Sequence, residues 1–359
     1  MPHNQSGILR LVEQCRAAMR AVLPRGGKFN EMSEKTRIEY IKLGRILLKR
    51  ANSNNDRLTD ALLDTQRPTT FYKRMAAMRY CLWLQHVELC NEMRESSLCE
   101  GATDSIGVEF KDRLQRHLDW LTQYHAVRCQ GLPPDRQKRK SKRQALRGLP
   151  RHWRESLCKR GAAGKYSVAL LTAALSGCRP AELVAGVYIW RDFDETLQKE
   201  VINIDIAGAK VKVRQGQPRR IIHFAASDNH PLIESMNQLL DQQDEPVLKV
   251  QIANAGNFTV EIRRLCKCLW PAHRQAITAY CLRHQWAADA KRTQSADSVS
   301  RGLGHASAKT RRNYGQAQQA SKAGALRPFA VTVERGIKPL STKSPLSKAR
   351  PSVPEPEMP

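Results

Sequence analysis

A break at Gly131-Leu-Pro-Pro134, followed by the basic run Arg136-Gln-Lys-Arg-Lys-Ser-Lys-Arg143, constrains the fold most, because no hydrophobic stripe continues across it. Upstream of it, every apolar pattern has helical spacing. Ile8, Leu11, Val12, Cys15, Met19 and Val22 mark a first amphipathic helix. Ile38, Ile41 and Leu48 mark a second, from about Thr36 to Lys49, which the polar stretch Asn52-Ser-Asn-Asn-Asp56 stops. A third starts after Pro68-Thr-Thr70 and carries Phe71, Met75, Met78 and Leu82 on one face. A fourth, roughly Asp112 to Arg128, carries Leu114, Leu118 and Leu121. Four helices without strands predict a compact all-α domain over residues 1–130.

Downstream, both periods occur. Tyr166 to Leu175 is an apolar helix ended by Gly177, and Pro180 suits the first position of the helix that follows. Val201–Ile206 alternates like a half-buried strand, Arg219–Phe224 reads as a second, and the loop between them holds Gly208, Lys210, Lys212, Arg214 and Gly216. A hairpin with a lysine-rich turn is expected there. Helices are expected at Pro231–Gln242, Phe258–Trp270 and Ala279–Ala290, with a short helical stretch at Gly315–Ala320. The reading is a mainly α chain. An all-α domain at 1–130 and a basic linker at 131–150 lead into an α-rich domain with a small antiparallel sheet at 151–320. The tail, residues 321–359, is expected to be partly flexible, with one apolar patch at Phe329–Val333.

Charge narrows the function. Sixty Lys and Arg against 34 Asp and Glu give +26, with a pI near 10.0, which favours a polyanionic partner, nucleic acid first. No apolar run reaches 18 residues, and Met1-Pro-His-Asn-Gln-Ser6 lacks the apolar core of a signal peptide. A soluble, cytoplasmic, nucleoid-associated protein without membrane contact is therefore expected. The ten cysteines form no Cys-x-x-Cys pair, so they read as reduced core residues, with no metal site and no cofactor expected. Lys138, Arg139, Lys140, Lys142 and Arg143 in the linker read as phosphate contacts. Lys73 and Arg74 suit the same role, although a solvated helix face explains them equally well.

The chemistry gathers at the far end. On a helix, Tyr280 lies three residues from Arg283 and four from His284, so the three share a face that can grip an oxyanion. Leu303-Gly-His305 reads as a helix stop with Gly304 in the left-handed cap. Tyr314 follows in the basic run Ser307-Ala-Lys-Thr-Arg-Arg-Asn-Tyr314. Arg179 stands at a helix N-terminus, which already favours an anion, and Glu182, three residues on, can brace its guanidinium. Singly, each of these is an ordinary surface or capping residue; their order is what carries information.

That order resembles the tyrosine recombinase (phage integrase) family over residues 165–320. The residues that match are Arg179 in Leu175-Ser-Gly-Cys-Arg-Pro-Ala-Glu-Leu183, a hairpin lysine, Arg283 in Tyr280-Cys-Leu-Arg-His284, His305 and Tyr314. The N-terminal helices are similar to the family's core-binding domain in length and pattern only. The resemblance implies that Tyr314 is the nucleophile, that Arg179 and Arg283 are the catalytic arginines, and that His305 belongs to the Leu-Gly-His box. It further implies that Glu182 supports the first arginine and that His284 adds support. The hairpin lysine is Lys210, with Lys212 two residues away. Tyr280 stands where the family usually has histidine. Implied too are double-stranded DNA bearing specific recombination sites, a homotetramer on paired sites, accessory DNA-bending proteins, and a segment after the nucleophile that docks on a neighbouring protomer. The activity implied is site-specific recombination through a 3′-phosphotyrosine bond, as in an integrase, excisionase or resolvase of a mobile element. The alternatives are a non-catalytic DNA-binding protein on the same fold and a topoisomerase of type IB-like chemistry.

Overall fold

The computed structural model describes residues 2–23, 29, 32–53, 57–95, 104–132, 142, 144–195, 198–212, 215–320 and 324–338. The chain forms two compact units, Met1–Arg139 and Lys140–Pro359. Of the linker cations, Lys138, Arg139, Lys140 and Arg143 lie outside the described residues.

The first unit is helical among the described residues: α1 (Pro2–Val22), α2 (Glu34–Ser53), α3 (Leu58–Leu63), α4 (Pro68–Glu95) and α5 (Asp104–Gln130). The short α3 does not announce itself in the sequence, since six residues are too few to show a period. It earns its place by burial, with Leu58 and Leu62 joining Met19, Val22, Leu47, Phe71, Met78 and Leu121 in one cluster. A second cluster forms where Leu11, Val12 and Cys15 of α1 meet Leu89 of α4 and Phe110 and Leu114 of α5. The faces expected from spacing in α1, α4 and α5 are the buried ones; in α2 the expected Ile38 is exposed, and Leu47 is the residue that enters the core. No described helix is long and apolar enough to cross a membrane.

The second unit runs α6 (Trp153–Gly161), α7 (Ser167–Ser176), α8 (Pro180–Ala185), β1 (Val187–Asp194), β2 (Lys199–Ala207), β3 (Arg219–Ala225), α9 (Pro231–Asp241), β4 (Leu248–Val250), α10 (Ala255–Leu269), α11 (Ala279–Thr293), α12 (Ala296–Gly302) and β5 (Ala330–Val333). The architecture is mainly α with a small antiparallel sheet of order β4-β1-β2-β3-β5. β2 is central and buried from Val201 to Ile206, not half-buried as its alternation suggests. Its polar face is closed by cross-strand pairs: Asn203 with His223, 2.7 Å, and Asp205 with Arg219, bidentate at 2.6–2.9 Å. The other face packs Ile202, Ile204, Ile206, Ile222 and Phe224 into a core with Leu175, Phe258 and Trp286.

Two expectations change. Gly315–Ala320 is not an α-helix: it holds only a 3₁₀ turn at Ala317–Gln319. α11 engages the carbonyl before this stretch and one within it, with Lys291 Nζ on Tyr314 O (3.2 Å) and Gln285 Nε2 on Gln319 O (3.0 Å). A Cβ on Gly315 would stand 2.1 Å from the His284 carbonyl oxygen, so the close approach requires glycine. The apolar patch of the tail, expected to dock on a neighbouring protomer with a return onto its own domain as the alternative, takes the alternative: it is the edge strand β5 of its own sheet, with Arg220 opposite Val333 and His223 opposite Ala330.

Candidate active site

α7 ends at Gly177 in the left-handed region (φ 59°), and the turn delivers Arg179 as the residue before α8, with Pro180 at the first helical position. Glu182 closes this helix start by accepting from the Arg179 backbone N–H at 2.7 Å, and it also binds the Arg179 guanidinium. The same carboxylate, fully buried, accepts from Arg220 of β3 at 2.8 and 3.3 Å. Glu182 is therefore a hub between two guanidiniums. Desolvation pushes its pKa up, but Arg220, Arg283 and Arg179 outweigh this and hold it well below the carboxylate range.

Arg283 is fully buried on α11 and bonds main chain instead of a carboxylate: Gly177 O at 2.8 Å and Leu303 O. It thus fastens the turn before Arg179 to the turn before His305. That second turn is the C-terminal end of α12, where Gly304 has φ 61° and His305 N–H donates to Ser300 O at 2.9 Å. A Cβ on Gly304 would meet Arg220 Nη1 at 2.9 Å, so glycine serves both conformation and approach.

From His305 the chain passes through a 3₁₀ segment, Ala308–Asn313, to Tyr314. The Tyr314 ring lies between His284 and His305, with centroids 5.2 Å from each, and the Arg283 guanidinium carbon is 5.0 Å from its centre. A cleft of about 250 Å³ is lined by Arg179, Lys210, Tyr280, His305 and Tyr314, with Gln215, Gly216 and Ser307 among the remaining walls. Of the two hairpin lysines, Lys210 lines it and Lys212 does not. Arg283 and His284 contact the Tyr314 ring without lining the cleft. Tyr280, on the same helix, is 38% exposed.

The electrostatics follow from this crowding of cations. Burial opposes ionisation of Tyr314, but Arg283 and then Arg179, by charge and hydrogen bonding, outweigh it and hold the phenol below its usual 10. Burial, then Arg283, Arg179 and Arg220, push His305 down to about 3, so its ring is neutral at pH 7. Both His305 nitrogens lack a hydrogen-bond partner among the described residues. Among those residues, no three His, Cys, Asp or Glu side chains are arranged to hold a metal ion.

The DNA-contact candidates of the first unit are engaged within it. Arg74 donates to Ala61 O (3.0 Å) and Asp64 O (2.6 Å), satisfying carbonyls at the end of α3, and Lys73 pairs with Glu39. Lys142 is half-buried in the second unit. Sequence reasoning missed Arg220 and Gln217. Arg220 sits on the same parity of β3 as buried Ile222 and Phe224, so strand alternation would have placed it inside. Nothing local marks Gln217, whose contacts reach residues 305 and 335.

No protein-family model and no curated protein matches the chain. Among solved structures it is similar to the XerH site-specific recombinase bound to its difH substrate, a pre-cleavage complex, at 15% identity over 79% of this chain and 94% of that one, with a TM-score of 0.33. At that level, the function rests on the geometry of the cleft.

Proposed function

We propose that the chain is a site-specific DNA recombinase that cuts and rejoins strands through a 3′-phosphotyrosine bond. The carrying observation is the one cleft that Arg179, Lys210, His305 and Tyr314 line together, with the Arg283 guanidinium 5.0 Å from the centre of the phenol ring. Phosphoryl transfer needs an in-line nucleophile, neutralised equatorial oxygens and a proton for the leaving group. The Tyr314 oxygen bonds to phosphorus and releases its proton to solvent, assisted by the guanidiniums that already depress its pKa. Arg179 and Arg283 stabilise charge on the non-bridging oxygens, and neutral His305 donates a further hydrogen bond. As the bond from phosphorus to the 5′-oxygen breaks, Lys210 gives that oxygen a proton. The covalent bond conserves the energy of the phosphodiester, so a second 5′-hydroxyl can reverse the step on another strand. Tyr280 contributes a phenol hydroxyl at the rim, and the partner on this reading is double-stranded DNA, held by homotetramers on paired sites.

The test uses a pool of end-labelled duplexes of randomised sequence. After denaturation, wild-type protein should retain one covalently attached strand, whose sequenced end maps the scissile phosphate. Tyr314→Phe should bind the recovered duplex and retain none; normal adduct yield from that variant refutes the assignment. A non-catalytic DNA-binding protein gives no adduct from either form, and a topoisomerase joins strands without requiring two matching sites.

A further inference from the structure

The stretch that follows β5, residues 334–338, touches two walls of the cleft. Gln217, 1% exposed, lies between β2 and β3 just past the Lys210 turn. Its side-chain amide donates to His305 O at 3.1 Å and Arg335 O at 2.7 Å, and accepts from the Arg335 N–H at 3.0 Å. Its own backbone N–H donates to Gly304 O at 3.2 Å. The Arg335 guanidinium donates to Lys212 O at 2.8 Å, in the turn that Lys212 and Gln215 close with reciprocal backbone bonds at 2.8 and 3.1 Å. Three residues further, Lys338 N–H donates to Ala306 O at 3.0 Å and its carbonyl accepts from Ala308 N–H at 3.2 Å. Lys210 is exposed, as are its neighbours Ala209, Val211 and Lys212.

We infer that Gln217 and Arg335 are positioning residues, a clamp through which the segment after β5 sets the Lys210 turn and the His305 cap at a fixed spacing across the cleft. A buried primary amide is well suited to this, because it satisfies two carbonyls and one N–H that would otherwise be stranded, and only one orientation of the amide does so. The inference rests on the reading of Lys210 as proton donor. Without the clamp, the lysine turn moves relative to the leaving oxygen while the arginines, fixed by Glu182, Gly177 O and Leu303 O, stay in place.

The predicted defect is therefore in leaving-group protonation, which is separable from charge neutralisation. The duplex recovered with wild-type protein is synthesised in two forms, with oxygen or sulfur bridging the mapped phosphorus to the 5′-carbon. A departing thiolate needs no proton, so it reports cleavage without the acid. In full-length protein, Lys210→Ala should slow single-turnover cleavage of the oxygen form by roughly 100-fold and leave the sulfur form near wild type. Gln217→Met and Arg335→Ala should each slow the oxygen form by about 10-fold or more and the sulfur form by less than about threefold. Equal losses on both forms in Gln217→Met and Arg335→Ala would mean a purely structural role and overturn the inference, as would normal cleavage of the oxygen form by both variants. Failure of sulfur to rescue Lys210→Ala would refute the proton-donor reading itself, and the clamp with it.

Discussion

Replacing Glu182 by Gln keeps the shape of the hub and removes its charge. Glu182 accepts from the backbone and guanidinium of Arg179 and twice from Arg220, whose side chain has no exposed surface. Breaking one side of a buried ion pair costs about 3–5 kcal/mol, because the remaining charge stays desolvated and unanswered. For a unit of this size each kcal/mol lowers Tm by about 2–4 °C, so the transition of the second unit should fall by roughly 6–20 °C in calorimetry at pH 7. The dependence on pH follows from the depressed pKa of Glu182. Stabilisation by a carboxylate of this kind is complete above its unfolded value, 4.5, and is lost as pH falls below it. The gap between wild type and Glu182→Gln should therefore narrow by about 2 kcal/mol between pH 7 and about pH 3. A gap below about 1 kcal/mol at pH 7, or one that does not change on acidification, would refute the hub.

Three further outcomes are expected. Gly315→Ala should preserve DNA binding and reduce adduct formation by about 100-fold, since its Cβ would collide with the His284 carbonyl and displace Tyr314; a normal adduct would show that the backbone can yield there. A spectrophotometric tyrosine titration of wild type minus Tyr314→Phe should isolate one phenol ionising below 10, and a difference curve centred at or above 10 would contradict the arginine cage. In the first unit, buried His117 stacks on His86 with ring centroids 5.6 Å apart, its Nε2 has no hydrogen-bond partner among the described residues, and burial, then His86, lower it to about 4. The unfolded state binds the proton first, so that unit should lose up to about 3 kcal/mol as pH falls from about 6.5 to about 4 in urea denaturation. An equal slope in His117→Phe would remove this histidine as the cause.

The sequence revealed those parts of the site whose geometry is local. Arg179, Pro180 and Glu182 are one helix start, and three residues suffice to predict the brace that the fold contains. Gly304 and His305 are likewise a helix end. Arg220 was hidden because a charged residue beside Arg219 reads as surface, and only the parity shared with Ile222 and Phe224 argues otherwise. β1 was missed because its second half, Arg191-Asp-Phe-Asp194, is charged and half-exposed, while its buried half is short. The apolar patch Phe329–Val333 was visible but its docking place was not, since β3 lies more than a hundred residues upstream and no local rule specifies a non-local ladder.

Arg283 answers two backbone carbonyls and pairs with no carboxylate among the described residues, while Arg179 and Arg220 share Glu182. Three guanidiniums around one carboxylate leave the interior of this unit with a surplus of positive charge, in surroundings where water screens little. Burial, and then the same surplus, keep His305 neutral. An oxyanion that bound in the cleft would relieve that imbalance and, by binding the native state alone, would raise its stability with concentration. On the proposed function, the Tm of this unit would then depend on the anions in solution as much as on the sequence.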